Sequence, residues 1–253
     1  MKYAAYRSFG PIHCIWIGIL LILLVVVTRQ VFRNRALVTD SLHHAVLPAG
    51  YSVIGIDISQ YQRNIQWRLV RQDRIAGKPI RFVFIKATEG ISRQDPLFAD
   101  HWRQAHGAGF ICGAYHFFYA TRDPMLQARN FENQVNLQPG DLPPVLDAEI
   151  SNQQPDTVIR HTMRIWLEEI HRHYGVRPII YTSLSFYRKY VKGYFDDYPL
   201  WIAQHRATSV PEDIKNWLFW QISDEACVQG IAGYTDLNIF HGDMQDFRQI
   251  CIP

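Results

Sequence analysis

The sequence predicts an α/β fold in which an irregular, TIM-like (β/α) barrel with incomplete later helices follows one N-terminal transmembrane helix. Short apolar runs alternate with helical patterns from residue 51 onward, and this alternation is typical of a parallel sheet covered by helices. The region has about 200 residues, which suits a single barrel. A doubly wound open sheet is the alternative, but no G-x-G-x-x-G or P-loop motif follows any strand.

The N-terminal part differs in composition from the rest of the chain. Residues 1–11 form a short basic tail, and 12–28 are apolar and carry no charge apart from a protonated His13. Such a run predicts a transmembrane anchor or a signal segment. No small-x-small cleavage site follows it, which favours the uncleaved anchor. Basic residues on both sides leave its orientation unsettled. Residues 29–50 are predicted to be a polar linker, and 51–253 the folded domain.

Eight apolar runs in the domain have the length and composition of strands. They lie at 53–58, 81–85, 109–118, 144–146, 178–181, 200–203, 218–222 and 236–240. Helical patterns at 65–77, 96–109, 123–137 and 155–175 separate the early runs and are bounded by proline or glycine. The last third has long connections instead, so a regular eightfold repeat is not expected.

Polar residues stand at the ends of nearly all of these runs. They are Asp57, Lys86 with Glu89, His116, Asp147 with Glu149, Thr182, Gln204 and Gln221. The carboxyl ends of parallel strands meet on one face of a barrel, and active sites lie there. The pattern therefore predicts a polar site at this rim.

Composition limits the classes of partner. At 48% hydrophobic and 19% charged residues the chain is ordinary globular material. A net charge of +3 mildly favours acidic partners such as cell-wall polymers or anionic lipid, and no basic stripe predicts a nucleic-acid partner. Among four cysteines, Cys227 and Cys251 are the pair best placed for a disulfide, with unpaired thiols as the alternative. No cysteine or histidine spacing resembles a metal site, so neither a metal nor another cofactor is expected.

The segment VLDAEI, residues 145–150, places two carboxylates side by side. Residues two apart on a strand share a face, so Asp147 and Glu149 project together with Cα atoms about 7 Å apart. Two such groups cannot both ionise freely, and their pKa values separate. A protonated acid beside an anionic carboxylate is the arrangement that cleaves glycosidic bonds. An ion pair at the strand end is the structural alternative, and a metal site ranks lower without histidine partners.

Several segments together resemble one known family. They are GIDISQYQ (55–62), FVFIKATEG (82–90), GFICGAYHFF (109–118), PPVLDAE (143–149), PIIYTSLSFY (178–187), PLWIAQ (199–204), WQIS (220–223) and TDLNIF (235–240). Their order is that of family-25 glycoside hydrolases, the lysozyme-type muramidases of bacteria, fungi and phages. The resemblance spans residues 51 to 245.

The resemblance implies an irregular β/α barrel that cleaves the β-1,4 bond between N-acetylmuramic acid and N-acetylglucosamine in peptidoglycan. By motif, Glu149 falls at the proton donor and Asp147 at its partner, a stabiliser or nucleophile. The acetamido group of the substrate is the alternative nucleophile. Asp57 and Asp236 fall at two further acidic positions, so the four carboxylates of the family are present.

Six further residues are candidate substrate contacts. They are Tyr115, His116, Tyr181, Trp201, Gln204 and Gln221. Aromatic rings stack on sugar faces and amides bind sugar hydroxyls, whereas a satisfied rim histidine or a core position is the structural alternative. The neighbouring Lys86 and Glu89 are predicted to form an ion pair.

The expected partners are peptidoglycan glycan strands and, through the N-terminal helix, a membrane. The expected location is the cell membrane, with a single span and the catalytic domain on the extracytoplasmic side of the envelope. Two other functions are possible on this fold. One is a non-catalytic peptidoglycan-binding module, and the other is a related glucosaminidase or chitinase.

Overall fold

A computed structural model describes residue 16, residues 19–24 and residues 37–253, and the last range forms the folded domain. Its strands are β1 (Leu37–Asp40), β2 (Ala45–Pro48), β3 (Ile54–Ile58), β4 (Arg74–Ile75), β5 (Lys78–Glu89), β6 (Arg93–Gln94), β7 (Ile111–Phe117), β8 (Val145–Asp147), β9 (Ile179–Ser183), β10 (Leu200–Ala203), β11 (Trp217–Ala226) and β12 (Thr235–Phe240).

Eight of the strands within 37–253 close into a barrel in the order β3, β5, β7, β8, β9, β10, β11, β12 and back to β3. The pairs from β3 through β11 are parallel. Strand β12 is antiparallel to both of its neighbours, β11 and β3. The predicted α/β barrel is therefore confirmed, and its irregularity lies at the closing strand.

Helices cover the outside of the early strands. They are Trp67–Gln72, Phe98–Gly107, Pro124–Gln134, Asp156–Tyr174, and Leu184–Phe186 with a following π-helical turn Tyr187–Val191. A last helix, Met244–Gln249, follows β12 and packs Phe247 into the barrel interior. In the described chain no helix separates β10, β11 and β12, so the expectation of incomplete later helices is confirmed. The longest helix ends at Gly175, whose left-handed φ of 71° suits glycine.

The first predicted helix, over 65–77, is shorter than its pattern. The helix ends at Gln72, and β4 then pairs with the start of β5 in a tight hairpin. Ala76 and Gly77 make the turn with φ values of 49° and 76°. The Asp73 side chain accepts a hydrogen bond from the Arg74 amide at 2.8 Å, which favours the turn over a further helical residue.

Side chains on the barrel strands alternate between two apolar layers. On β5, Phe82 and Phe84 lie inside the barrel, while Val83 and Ile85 pack toward the helices. Glycines make room for these rings, since a Cβ atom at Gly113 would lie 2.4 Å from the Phe84 ring. The interior layer consists of Val53, Phe82, Phe84, Leu142, Val145, Ile179, Trp201, Phe219, Phe240 and Phe247. It fills the barrel below the carboxyl-terminal rim, so a cavity within the barrel opens at that rim.

Part of the predicted linker 29–50 is folded, which corrects that prediction. Strands β1 and β2 pair as an antiparallel hairpin, and Ala45 and Leu47 are buried. His43 in the turn contacts Asp40 at 2.7 Å and Asp73 of the barrel at 3.0 Å. These buried polar contacts fix the hairpin to the barrel, and no local sequence signal reveals a partner 30 residues away.

The predicted N-terminal segments lie largely outside the described residues. The tail 1–11, most of the apolar segment 12–28 and residues 29–36 belong to that part. Trp16 and residues 19–24 are helical, and their apolar side chains are exposed. Among the described residues, no helix combines the length and apolarity needed to cross a membrane.

The cysteine pairing considered from sequence is not present. Cys227 and Cys251 are both free thiols, as is the buried Cys112. The Cys251 thiol instead donates to the Phe247 carbonyl oxygen at 3.3 Å. Cys14 lies outside the described residues.

Candidate active site

A cavity of about 260 Å³ opens at the carboxyl ends of the barrel strands. It is lined by Asp57, Ile58, Ser59, Tyr61, Gln62, Lys86, Tyr115, Phe117, Asp147, Glu149, Tyr181, Trp201, Gln221 and Asp236. All four predicted catalytic carboxylates and four of the six predicted substrate contacts therefore lie in one place.

Strand register explains why residues distant in sequence meet in this cavity. Asp57 on β3 is directly opposite Asp236 on β12. On the other side of the barrel, Asp147 on β8 is paired with Tyr181 on β9, and Tyr181 with Trp201 on β10. These residues share the inward face at the same height of the barrel.

Asp57, which is buried, and Asp236, which is half-buried, form a carboxylate pair. Burial and the negative charge of Asp57, together with their mutual hydrogen bond, raise the pKa of Asp236 to about 10. Burial also raises the pKa of Asp57, although donors from Asn238 and Gln221 oppose that rise. Two carboxyl groups that are joined by a hydrogen bond share one proton. At neutral pH the proton therefore belongs to the pair.

The hydrogen bonds around the pair place the negative charge on Asp57. Its Oδ2 atom accepts from Asn238 Nδ2 at 2.7 Å and from Gln221 Nε2 at 3.0 Å. Donors of this kind favour the ionised form of a carboxyl group. Asp236 has the more strongly raised pKa and is the proton donor within the pair.

Gln221 is held in one orientation by its own partners. Its Oε1 atom accepts from Tyr181 Oη at 2.9 Å and contacts His205 Nε2 at 3.0 Å. Two donors at the oxygen leave the Nε2 group to face Asp57. Gln221 is thus a predicted substrate contact whose amide is already engaged on both sides, and it positions Asp57.

Asp147 and Glu149 lie on the opposite side of the cavity from β12. Asp147 is buried, and its Oδ1 atom has no hydrogen-bond partner among the described residues. Burial, with the charge of Glu149 next, raises the pKa of Asp147 well above its usual value. Glu149 follows the end of β8, and much of the residue is exposed. Its side chain nevertheless lines the cavity, where the surrounding protein partly desolvates the carboxyl group. Burial of its carboxyl and the charge of Asp57 raise the pKa of Glu149, while Lys86 opposes the rise.

Lys86 and Glu89 form the predicted ion pair, with 2.7 Å between Nζ and Oε2. The ammonium group also lies 4.8 Å from the centre of the Phe117 ring. Lys86 nevertheless lines the cavity and affects the pKa of both Asp147 and Glu149. The Lys86 ammonium group is therefore a positive charge that acts on both acid residues of the site.

Aromatic side chains form the floor and one wall. Trp201 is almost fully buried, stacks on Phe84 at 4.4 Å and donates from Nε1 to Asn238 Oδ1 at 2.8 Å. Burial raises the pKa of Tyr115 and of Tyr181 well above the usual value, so both hydroxyls stay protonated. The sequence allowed two roles for Trp201, a sugar contact and a core residue. Trp201 is buried in the core and also lines the cavity, so its position fits both roles.

His116 and Gln204 do not line the cavity, contrary to the prediction. His116 shares the outward face of β7 with Cys112, is fully buried, and contacts Thr88 Oγ1 at 2.7 Å and Gln127 Oε1 at 3.3 Å. Burial lowers the pKa of His116 to about 3, so it is a neutral packing residue. Gln204 uses its backbone carbonyl to accept from the Trp220 indole at 2.8 Å.

Asn238, Tyr61 and Gln62 are among the residues of the site that were not predicted from the sequence. Asn238 is fully buried and bonds to Asp57; its position two residues after Asp236 on one strand is a signal that could have found it. Tyr61 and Gln62 line the rim from the loop after β3, and Tyr61 is 77% exposed. An exposed aromatic ring beside a polar cleft is typical of a sugar contact.

Comparisons with known proteins agree with this geometry. The family model described as glycosyl hydrolases family 25 matches residues 56–231. The uncharacterized protein YegX of Escherichia coli strain K12 is 37% identical over 202 residues, covering 80% of this chain and 74% of that protein. Lysozyme M1 of Streptomyces globisporus is 33% identical over 208 residues, covering 75% and 68%. The structure of a family 25 glycosyl hydrolase from Bacillus anthracis superposes with a TM-score of 0.75 at 29% identity, over 84% of this chain and 99% of that one.

Proposed function

The chain belongs to glycosyl hydrolase family 25 and is a glycoside hydrolase of the muramidase type, and from this premise we propose that it cleaves the β-1,4 bond between N-acetylmuramic acid and N-acetylglucosamine in peptidoglycan. The observation that supports the proposal is the convergence of Asp57, Asp147, Glu149 and Asp236 on one cavity at the barrel rim. Carboxylates held close together are required for acid and base catalysis at a glycosidic bond.

Glu149 acts as the proton donor in this proposal. It is the exposed member of the four, so its carboxyl group can reach the leaving oxygen of a bound glycan. Burial and the charge of Asp57 raise its pKa, which retains a proton at a higher pH than a free glutamate does. An acid whose pKa approaches the working pH is the most effective donor.

Asp147 stabilises the sugar from which the leaving group departs. Its unpaired Oδ1 atom accepts the acetamido N–H of the substrate, and a donor of this kind favours the ionised form. Asp147 then either orients the acetamido oxygen for attack or stabilises the positive charge at the anomeric carbon directly. The Asp57–Asp236 pair provides a fixed negative charge across the cavity.

We propose that the chain is held at a cell membrane by the segment 12–28, with the barrel on the extracytoplasmic side. The exposed apolar side chains of Trp16 and residues 19–24 support this proposal, since exposed apolar groups on a helix are stable in lipid and costly in water. Fractionation of cells is the test. The chain is expected in the membrane fraction and resistant to salt extraction, and recovery of the full-length chain in a soluble fraction contradicts the anchor.

The bond that is cleaved is identified by digestion of purified peptidoglycan with the full-length chain. The products are reduced with borohydride and analysed by mass spectrometry. Reduced muramic-acid ends are the expected result. Reduced glucosamine ends indicate a glucosaminidase, and no release with retained binding to sacculi indicates a non-catalytic binding module.

A further inference from the structure

A second concave surface lies beside the catalytic cavity and shares one wall with it. The loop 59–64 lines the cavity through Ser59, Tyr61 and Gln62, and it lines the second surface through Gln60, Arg63 and Asn64. This side groove has a volume of about 420 Å³. Its opposite wall is the start of the helix Phe98–Gly107. A chain leaving the cavity across this loop enters the side groove directly.

The side groove is lined by polar side chains that make no hydrogen bonds to other described residues. The carboxamides of Gln60, Asn64 and Gln104 line it, and none of these side chains has a hydrogen-bond partner among the described residues. The amides of the catalytic cavity differ, because Gln221 and Asn238 are bonded through both their oxygen and their nitrogen.

Two buried residues of the side groove also have unpaired atoms. Trp67 and His101 are 6% and 4% exposed, and Trp67 Nε1 and His101 Nδ1 have no hydrogen-bond partner in the described structure. Buried polar atoms are almost always paired in native proteins. Both atoms lie below the surface of the groove, so the polar groups that a ligand can reach are the carboxamides and the arginine of the lining.

Charge defines the ligand further. Arg63 is exposed at the border of the groove and makes no ion pair within the described chain. Asp100 on the opposite wall is already paired with Arg103 at 2.7 Å. The free cation in the groove lining is thus an arginine, whose planar guanidinium binds a carboxylate through two parallel hydrogen bonds.

We propose that the side groove binds the stem peptide of peptidoglycan, with Arg63 on a free carboxylate and the three carboxamides on the peptide backbone; this inference rests on the proposed function. A carboxamide both donates and accepts, as each peptide unit does. Each muramic acid that carries a stem peptide brings that peptide to the edge of the sugar-binding cavity. The side groove therefore recognises peptide-bearing glycan rather than the sugar chain alone.

Direct binding tests the side groove independently of catalysis. A synthetic stem tetrapeptide, L-Ala–D-Glu–diaminopimelate–D-Ala, is titrated into the full-length chain by calorimetry. Saturable binding is expected, and Arg63→Gln should weaken it at least about tenfold, the effect of losing even one of the two charge-assisted hydrogen bonds. Gln104→Leu should weaken it as well. Arg122→Gln is the matched control, because Arg122 is exposed on another loop and lines neither surface. Absence of saturable binding, or equal binding by the Arg63 variant, overturns the inference.

Turnover on two substrates distinguishes peptide recognition from sugar recognition. Peptidoglycan that retains its stem peptides is compared with glycan strands from which an amidase has removed them. Arg63→Gln should lower kcat/KM about tenfold on the first substrate and leave the second unchanged. An equal loss on both substrates means that the groove binds sugar, which also overturns the inference. A wild-type chain that binds the tetrapeptide and cleaves neither substrate retains the groove and refutes the proposed function.

Discussion

Asn238 makes the strongest test of how the site is built, because one buried amide supports two other side chains. Its Nδ2 group donates to Asp57 Oδ2 at 2.7 Å, and its Oδ1 atom accepts from Trp201 Nε1 at 2.8 Å. Asn238→Leu keeps the size and removes both bonds. Losing a bond to a charged group costs about 1.5–3 kcal/mol, and an unpaired buried indole N–H costs about 1–3 kcal/mol.

The expected loss in the free energy of unfolding is therefore about 3–5 kcal/mol. For a domain of this size it lowers Tm by about 10 °C, which thermal unfolding followed by circular dichroism measures. Activity is also expected to fall, because Asp57 loses one of its two amide donors. The matched control is Asn136→Leu at an exposed position, which should change stability by less than about 0.5 kcal/mol.

A double-mutant cycle separates the two contributions of Asn238. In a Trp201→Phe background the indole N–H is already absent, so the cost of Asn238→Leu should fall by about 1–3 kcal/mol. Equal costs in both backgrounds, or a Tm for Asn238→Leu within about 2 °C of the wild type, would show that Asn238 does not support these two side chains.

Three further predictions concern the hairpin, the carboxylate pair and the barrel interior. Burial opposes the charge on His43, but hydrogen bonds to Asp40 and Asp73 outweigh it and raise the pKa of His43 above 6.5. The stability from this contact is complete below pH 6.5 and is lost as pH rises through the raised pKa. His43→Ala should therefore lower Tm strongly at acid pH and little at alkaline pH. A difference in Tm between variant and wild type that does not change with pH would contradict this. Asp236 is protonated in the folded chain, so the free energy of unfolding falls as pH rises from 3.8 to about 10. Asp236→Asn should therefore raise Tm at neutral pH and make Tm less dependent on pH. A lower Tm of this variant at neutral pH argues against a proton on Asp236. Gly113→Ala places a Cβ atom 2.4 Å from the Phe84 ring and should cost about 1–3 kcal/mol in chemical denaturation, whereas Gly107→Ala meets no atom within 4 Å and should be neutral or stabilising.

The barrel and most of the cavity could be predicted because strand ends and strand parity are local signals. Asp57, Asp147, Tyr181 and Gln221 each end an apolar run and point inward, as the period of two requires. His116 also ends such a run, but it shares parity with Cys112 and points to the helices. Alternate residues of a strand face opposite sides, so His116 faces the same side as Cys112 and away from the cavity. This alternation, used together with the position at the strand end, would have excluded His116 from the predicted site.

The remaining features depend on contacts between distant segments. The shared proton of Asp57 and Asp236 exists because β12 closes the barrel antiparallel to β3, and no local pattern reveals that direction. The hairpin at 37–48 is fixed by His43 reaching Asp73, so a segment that reads as a polar linker is folded. The side groove likewise requires a loop and a helix to face each other across 30 or more residues of sequence.

The central claim, that Glu149 donates a proton to the leaving oxygen, is tested most directly with two substrates of different leaving-group basicity. Glu149→Gln is compared with the wild type on natural glycan and on a dinitrophenyl glycoside, whose leaving group departs without protonation. If Glu149 is the proton donor, the loss on natural glycan is about 10²–10⁴-fold, the usual contribution of a general acid, and the loss on the dinitrophenyl glycoside is much smaller. Equal losses on both substrates, or full activity on natural glycan, would contradict this claim.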